Sequence, residues 1–347
     1  MTVDRPDKAR IPALDGLRAI AIAAVIGFHL HPDWLPGGWV GVDMFFVLSG
    51  YLITRLLNRE LQSDGQLDFV AFALRRGLRL IPALFAMLAV YGLYAWLCTR
   101  HPEQQVEAIT IAAGFATNWA RAFSSAAEGP LGHTWSLATE EQFYLLWPMA
   151  LVAFGARRFG AVAMLLVGVV CWRATLAIGG ASFERTYNGF DTHTDGLLIG
   201  ALLALAPPGP VLRQWLLRWA ALPLAFLTAV LATMSYKSVA VQAVGMVACA
   251  AAAAWLLVAA LEPGRLSRAL SIAPLRHIGR ISYSLYLWHL PILLLGPRHV
   301  PHGWLGTVIL LAVCYVTAAA SYYLIELPFI ALRAPSRVRT STGAATA

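Results

Sequence analysis

The sequence predicts an all-α protein: a polytopic membrane helix bundle of about ten transmembrane helices, with both termini cytoplasmic. Three observations predict it. Of 347 residues, 59% are hydrophobic and 13% charged, and the mean hydropathy is +0.65. Soluble domains average about 45–50% apolar and about 25% charged. The apolar excess runs along the whole chain, with no long segment of ordinary composition. Finally, the basic residues gather between apolar runs in an alternating pattern.

The runs fall at 12–31, 38–57, 72–98, 106–120, 133–155, 160–178, 191–206, 212–233, 239–261, 277–296 and 304–332. A crossing needs about 20 residues. The fourth run, VEAITIAAGFATNWA, is short, begins beside Glu107 and contains Asn118. Placing it at the outer face, or as a re-entrant segment, leaves ten crossings and puts 20 of the 26 basic residues on the cytoplasmic side. Letting it cross gives 14 against 12, which is no useful bias. The expected organisation is therefore a cytoplasmic N-terminal segment (1–11), a transmembrane domain (12–332) and a disordered cytoplasmic tail (333–347). The polar start does not resemble a cleavable signal, so the first helix is expected to be retained. No internal repeat is evident.

The net charge of +8 follows from topology. No Lys/Arg-rich run, zinc-finger spacing or aromatic-basic stripe is present, which argues against nucleic acid as a partner. Cys98, Cys171, Cys249 and Cys314 lie singly in apolar segments and lack metal-ligand spacing, so no metal is expected.

Ionisable residues inside a bilayer are costly and mark function or a specific partner. The first run, LDGLRAIAIAAVIGFHLHPDW, carries Arg18 and, eleven residues on, His29. That spacing is about 16 Å along a helix. Arg18 is then near the cytoplasmic boundary and His29 lies past the midplane. His29 fits a buried histidine bonded to a neighbouring helix; it also fits a proton-transfer group near neutral pH. In GGWVGVDMFFVLSGYLIT the glycines permit close helix packing, but Asp43 needs a partner, and His29 is a candidate.

FALRRGLRLIP opens the third run with Arg75, Arg76 and Arg79. These serve either as positive-inside flanks or as a phosphate-binding cluster. In GHTWSLATEEQFYLLWP, His133, Ser136 and Glu140 are spaced to share a helical face, and Trp135 suits a membrane interface. No GxSxG elbow supports a serine hydrolase. DTHTDGLLIGALLA places Asp191, His193 and Asp195 at the outer mouth of a run, where a solvated, hydrogen-bonded mouth is favoured over a metal site. GRISYSLYLWHLPILL carries His289, and IELPF carries Glu326. Either residue alone fits a bond to a neighbouring helix.

Taken together and in order, these stretches resemble the acyltransferase family 3 of membrane O-acyltransferases, over about 11–330. Arg18 to His29 is similar to its Arg-ten-residues-His signature. The glycine-rich second run, the arginine motif, His-x-Trp-Ser-Leu…Glu and the late histidine follow in the family's order. The family usually has arginine where His193 stands. Some members carry an additional extracytoplasmic hydrolase-like domain, and none is expected within these 347 residues.

The resemblance implies transfer of an acyl group, often acetyl from acetyl-CoA, to a hydroxyl of a carbohydrate or glycoside. The expected setting is a bacterial inner membrane. It implies that His29 is essential, and that Arg75, Arg76 and Arg79, with Arg18 nearby, meet the phosphates of acyl-CoA. Asp43 or Glu140 is expected to orient the His29 imidazole. His133, Trp135, Ser136, Asp191, His193, Asp195 and His289 are expected on the acceptor side. The rival reading is a proton-coupled transporter of a small polar solute, since buried His, Asp and Glu also build proton relays; transporters commonly show paired repeats, and none is visible here.

Overall fold

A computed structural model describes residues 11–99, 102–123 and 129–332. The expected 1–11 segment, apart from Ile11, and the 333–347 tail lie outside the described residues. Every regular element among the described residues is helical.

Helix α1 (Pro12–Leu30) starts with proline at its first position, where the missing N–H costs nothing. Helix α2 (Val40–Asp64) ends at Gly65, which takes the left-handed conformation at φ +72° that stops a helix at little steric cost. Asp68 caps α3 (Phe69–Cys98) by accepting from the Ala71 amide.

The 106–120 stretch forms two short helices, α4 (Glu103–Ala113) and α5 (Thr117–Phe123). Phe115 at φ +51° separates them, and neither is long enough to cross a bilayer. Helix α6 (Thr134–Phe154) and α7 (Arg158–Ile178) form one long apolar run, broken at Gly155 with φ +51°.

Beyond them come α8 (Phe183–Asn188), α9 (Asp195–Leu205), and the pair α10 (Pro210–Arg218) and α11 (Ala221–Thr233), bent by 52°. A π-helical turn at 241–245 leads into α12 (Met246–Leu261). The chain continues through α13 (Arg265–Leu270), α14 (Ala273–Arg280), α15 (Ser282–Leu295) and α16 (Trp304–Ser321). A second π turn at 322–326 joins α16 to α17 (Leu327–Ala331) and contains Glu326. Its carboxylate accepts a hydrogen bond from Ser284 on α15.

Among the described residues, six helical runs are long and apolar enough to cross a membrane: 12–30, 40–64, 69–98, 134–178, 241–261 and 304–331. The bent α10–α11 pair adds a seventh if it is one span. Two runs expected to cross, 191–206 and 277–296, contain shorter helices of 11 and 14 residues. Large apolar side chains such as Trp96, Leu145, Met164 and Leu324 are at least 70% exposed. An outer surface this apolar belongs in lipid, and the chain is an integral membrane protein.

The site depends on how closely α2 meets α9. A β-carbon on Gly50 would lie 2.0 Å from the Leu197 carbonyl oxygen, and one on Gly200 would lie 2.1 Å from that of Val47. Only glycine lets the two backbones approach this far, the small-residue packing expected of helices in lipid. Gly50→Ala must push the helices apart. Overpacking of this kind costs about 1–3 kcal/mol. We expect a lower thermal midpoint in detergent for Gly50→Ala; an unchanged midpoint would show that the contact gives way freely.

Candidate active site

Two adjoining chambers occupy the interior. The first is lined by Arg18 of α1, Arg76 and Arg79 of α3, Ser136, Glu140 and Tyr144 of α6, and Ser49 of α2. Arg18 donates through Nε to Ser282 Oγ at 3.1 Å. The Arg76 guanidinium lies 4.8 Å from the centre of the Tyr144 ring. Tyr144 donates to Ser49 Oγ at 2.9 Å, and Ser49 donates to Glu140 at 2.6 Å. Among the lining residues, three guanidinium groups therefore face a single carboxylate. Excess positive charge in a desolvated cavity favours an anion, and guanidinium suits carboxylate or phosphate oxygens.

The second chamber is lined by His29, Arg121 and His133 within aromatic walls formed by Phe28, Trp39, Trp135, Phe183, Tyr187, Tyr236 and Tyr286. His29 Nδ1 lies 2.9 Å from the Val25 carbonyl, one turn back on α1. A carbonyl only accepts, so Nδ1 carries the proton and Nε2 is left basic. His133 sits at the start of α6 with Nε2 3.1 Å from the Leu287 carbonyl. Arg121 is also tied to Asn188, through Nε at 3.2 Å.

Only Val42 and Tyr286 line both chambers. The Tyr286 hydroxyl donates to the His133 carbonyl at 2.6 Å. Its single proton is thereby used, so Ser136 is the donor in the 2.6 Å contact between the two hydroxyls. A single layer of side chains thus separates the arginine chamber from the histidine chamber.

Beside the second chamber lies a buried ionic bracket. His193 meets Asp43 at 2.8 Å through Nε2 and the Tyr187 carbonyl at 2.6 Å through Nδ1. Arg173 is fully buried; it binds Asp195 at 2.8 Å, the Thr192 carbonyl at 2.8 Å and the Gln242 carbonyl at 2.6 Å. The His193 ring stacks on Trp135, with centroids 5.2 Å apart. The bracket therefore supports a wall of the histidine chamber from behind.

Several sequence expectations need correction. Neither Asp43 nor Glu140 orients His29. The carbonyl one turn below takes the imidazole proton; Asp43 faces α9 because α2 packs there, and Glu140 lines the other chamber. His133, Ser136 and Glu140 do not serve one cavity, since His133 lines the second chamber, Glu140 the first, and Ser136 the first at the partition. Arg75 turns away towards Glu60, 3.8 Å distant, leaving Arg76 and Arg79 in the chamber. Asp191 is half-buried and paired with Arg185 and Trp172, but His193 is buried against Asp43 and Asp195 against Arg173, so they do not form a solvated mouth. His289 is fully buried and lines neither chamber, though its ring lies 5.1 Å from those of His29 and His133.

Other parts of the site were missed. Arg173, a charge deep in an apolar run, was a visible signal. Arg121 is one of the six basic residues that the charge count leaves on the outer side, and nothing else in its surroundings marks it. Nothing in the local sequence singles out Ser49 or Tyr286. Among the described residues no group of three or more His, Cys, Asp or Glu is disposed to hold a metal ion.

An integral-membrane helical protein with a cationic chamber set against an imidazole-bearing one fits an acyl-transfer role, and the chain belongs to the acyltransferase domain family, acyltransferase family 3, whose model matches residues 11–326. It is similar to the peptidoglycan O-acetyltransferase OatA of Listeria monocytogenes, 33% identical over 354 residues, covering 93% of this chain and 56% of that protein. It is also similar to the O-acetyltransferase OatA of Staphylococcus aureus, 34% identical over 343 residues, covering 92% and 57%. The chain spans little more than half the length of these relatives. No solved structure matches it.

Proposed function

We propose that this protein is an O-acetyltransferase of the bacterial cytoplasmic membrane that moves acetyl from acetyl-CoA to a hydroxyl of a cell-envelope carbohydrate. The observation that carries the reading is the placement of Arg18 and His29. They sit eleven residues apart on one helix, and they line two chambers separated by Val42 and Tyr286. In this reading the transmembrane domain is 12–332, with ten crossings and both termini cytoplasmic. The arginine chamber then opens towards the cytosol, where acyl-CoA is made.

Arg18, Arg76 and Arg79 hold the CoA phosphates by charge-assisted bonds. The thioester arm passes the Tyr286 layer to reach His29. The acceptor sugar enters the histidine chamber, whose aromatic walls offer flat apolar faces to its ring. His29 Nε2 removes the hydroxyl proton as the oxygen attacks the thioester carbonyl. The C–O bond forms, the C–S bond breaks, and the proton passes to the departing thiolate. The similarity to peptidoglycan O-acetyltransferases supports a cell-wall glycan as acceptor. Transfer of label from acetyl-CoA to a soluble peptidoglycan fragment by purified protein tests the reading; no transfer, with proton-dependent solute uptake instead, would support the transporter alternative.

The donor site makes its own prediction. Arg76→Ala and Arg79→Ala each remove a charged hydrogen-bonding group worth about 1.5–3 kcal/mol. The apparent KM for acetyl-CoA should rise about tenfold or more in each. Arg75→Ala, which disturbs only the contact to Glu60, should leave it within about twofold. Equal effects at all three positions would place the phosphates elsewhere.

A further inference from the structure

His289 touches neither chamber, yet its environment is unusual for a structural histidine. Its Nδ1 lies 2.6 Å from the Tyr286 carbonyl and 3.2 Å from that of Leu285, so Nδ1 carries the proton. Its Nε2 is then a bare lone pair, and it is buried without a hydrogen-bond partner. His133 repeats the pattern: Nε2 is engaged with the Leu287 carbonyl, and Nδ1 is buried without a partner. Unsatisfied buried nitrogens cost stability and call for a reason.

Three elements bring the rings together: α1 supplies His29, the start of α6 supplies His133, and α15 supplies His289. The His29 and His289 centroids are 5.1 Å apart, as are those of His133 and His289. Among the described residues, the only other titratable side chain whose ring packs on His289 is Tyr286, on its own helix. Among the described residues no carboxylate is engaged with this cluster: Asp43 is bound to His193, and Glu140 lies across the partition. A histidine base usually has a carboxylate behind it to stabilise the imidazolium. On His29 that position, Nδ1–H, is held by the neutral Val25 carbonyl instead.

We propose that His289 is a positioning residue that supports the charged ring at its other nitrogen: its unpartnered Nε2 accepts a hydrogen bond from His29 Nε2–H once His29 has taken the acceptor proton. The inference rests on the O-acetyltransferase reading above. The acceptor hydroxyl gives its proton to His29 Nε2 as the C–O bond forms and the C–S bond breaks. His29 then carries a proton on each nitrogen and shares the new one with His289. The thiolate takes that proton, and the rings return to their starting tautomers, leaving the acetyl ester and free CoA thiol.

The test uses the full-length protein in detergent with labelled acetyl-CoA and a soluble peptidoglycan fragment, under single-turnover conditions. For His289→Gln the rate should fall about 10²-fold, the low end for lost acid–base assistance, with the KM for acetyl-CoA unchanged within about twofold. In mixtures of light and heavy water the wild-type rate should bow below a straight line, as two protons in flight require. Residual His289→Gln activity should give a straight line. A straight line for the wild type overturns the proposal without reference to whether the variant folds. So does a variant with unchanged rate, or one whose KM rises while its rate holds. A wild type that transfers no label to glycan overturns both the underlying reading and this inference; label transfer with a straight line overturns this inference alone.

Discussion

Membranes containing His29→Ala, given labelled acetyl-CoA and a glycan acceptor, should transfer acetyl at least about 10²-fold more slowly than wild type, and as much as about 10⁴-fold, the range for loss of a general base. The reasoning starts from the helix. The Val25 carbonyl holds the Nδ1 proton and so leaves Nε2 basic. Position 29 lines the aromatic chamber, whereas Arg18, Arg76 and Arg79 line the other. The loss should therefore appear in the rate, with the KM for acetyl-CoA little changed, because His29 does not meet the phosphates. His29→Gln preserves volume and polarity but supplies no imidazole, and it should be as impaired as the alanine variant. The same Nε2 is the atom a covalent route would acylate. Incubation without acceptor separates the two routes: label retained on the wild-type protein and absent from His29→Ala signals an acyl-imidazole. Wild-type transfer by both variants would remove His29 from the chemistry.

The helical class was legible because apolar composition and periodicity act along the chain, and both survive into the fold. The pairing of Arg18 with His29 was also legible, since eleven residues of helix fix their separation whatever surrounds them. What failed were inferences across helices. Asp43 looked like the partner of His29 because both were placed towards the same side of adjacent runs. Yet α2 is drawn onto α9 by Gly50 and Gly200, which turns Asp43 to His193. Similarly, the spacing of His133, Ser136 and Glu140 suggested one face, but the layer formed by Tyr286 and Val42 divides that face between two cavities. The breaks that leave helices of only 11 and 14 residues at 195–205 and 282–295 were not legible either, because apolar residues continue past the points where the helices end. Residue patterns record burial well; they do not record which neighbour does the burying.

Arg173→Ala should be among the most destabilising substitutions in the protein. Its guanidinium is fully buried and engages one carboxylate and two carbonyls. Removing it strands the Asp195 charge, which is only 1% exposed. Breaking a buried pair from one side typically costs about 3–5 kcal/mol, because the remaining charge is neither solvated nor compensated. For a chain of this size that is a drop on the order of ten degrees in the thermal midpoint, readable by size-exclusion of heated detergent extracts. The same principle gives a sharper second arm. Replacing both partners with apolar residues, as in Arg173→Met with Asp195→Leu, removes the stranded charge and should recover much of the midpoint. It should not recover full activity. Thr192 sits in the turn that carries His193, and His193 braces Trp135 in the wall of the aromatic chamber. A double variant as stable as wild type but with a raised KM for the glycan would assign the bracket to shaping the acceptor site. An Arg173→Ala protein as stable as wild type would mean that Asp195 finds another partner and that the bracket does not hold the fold.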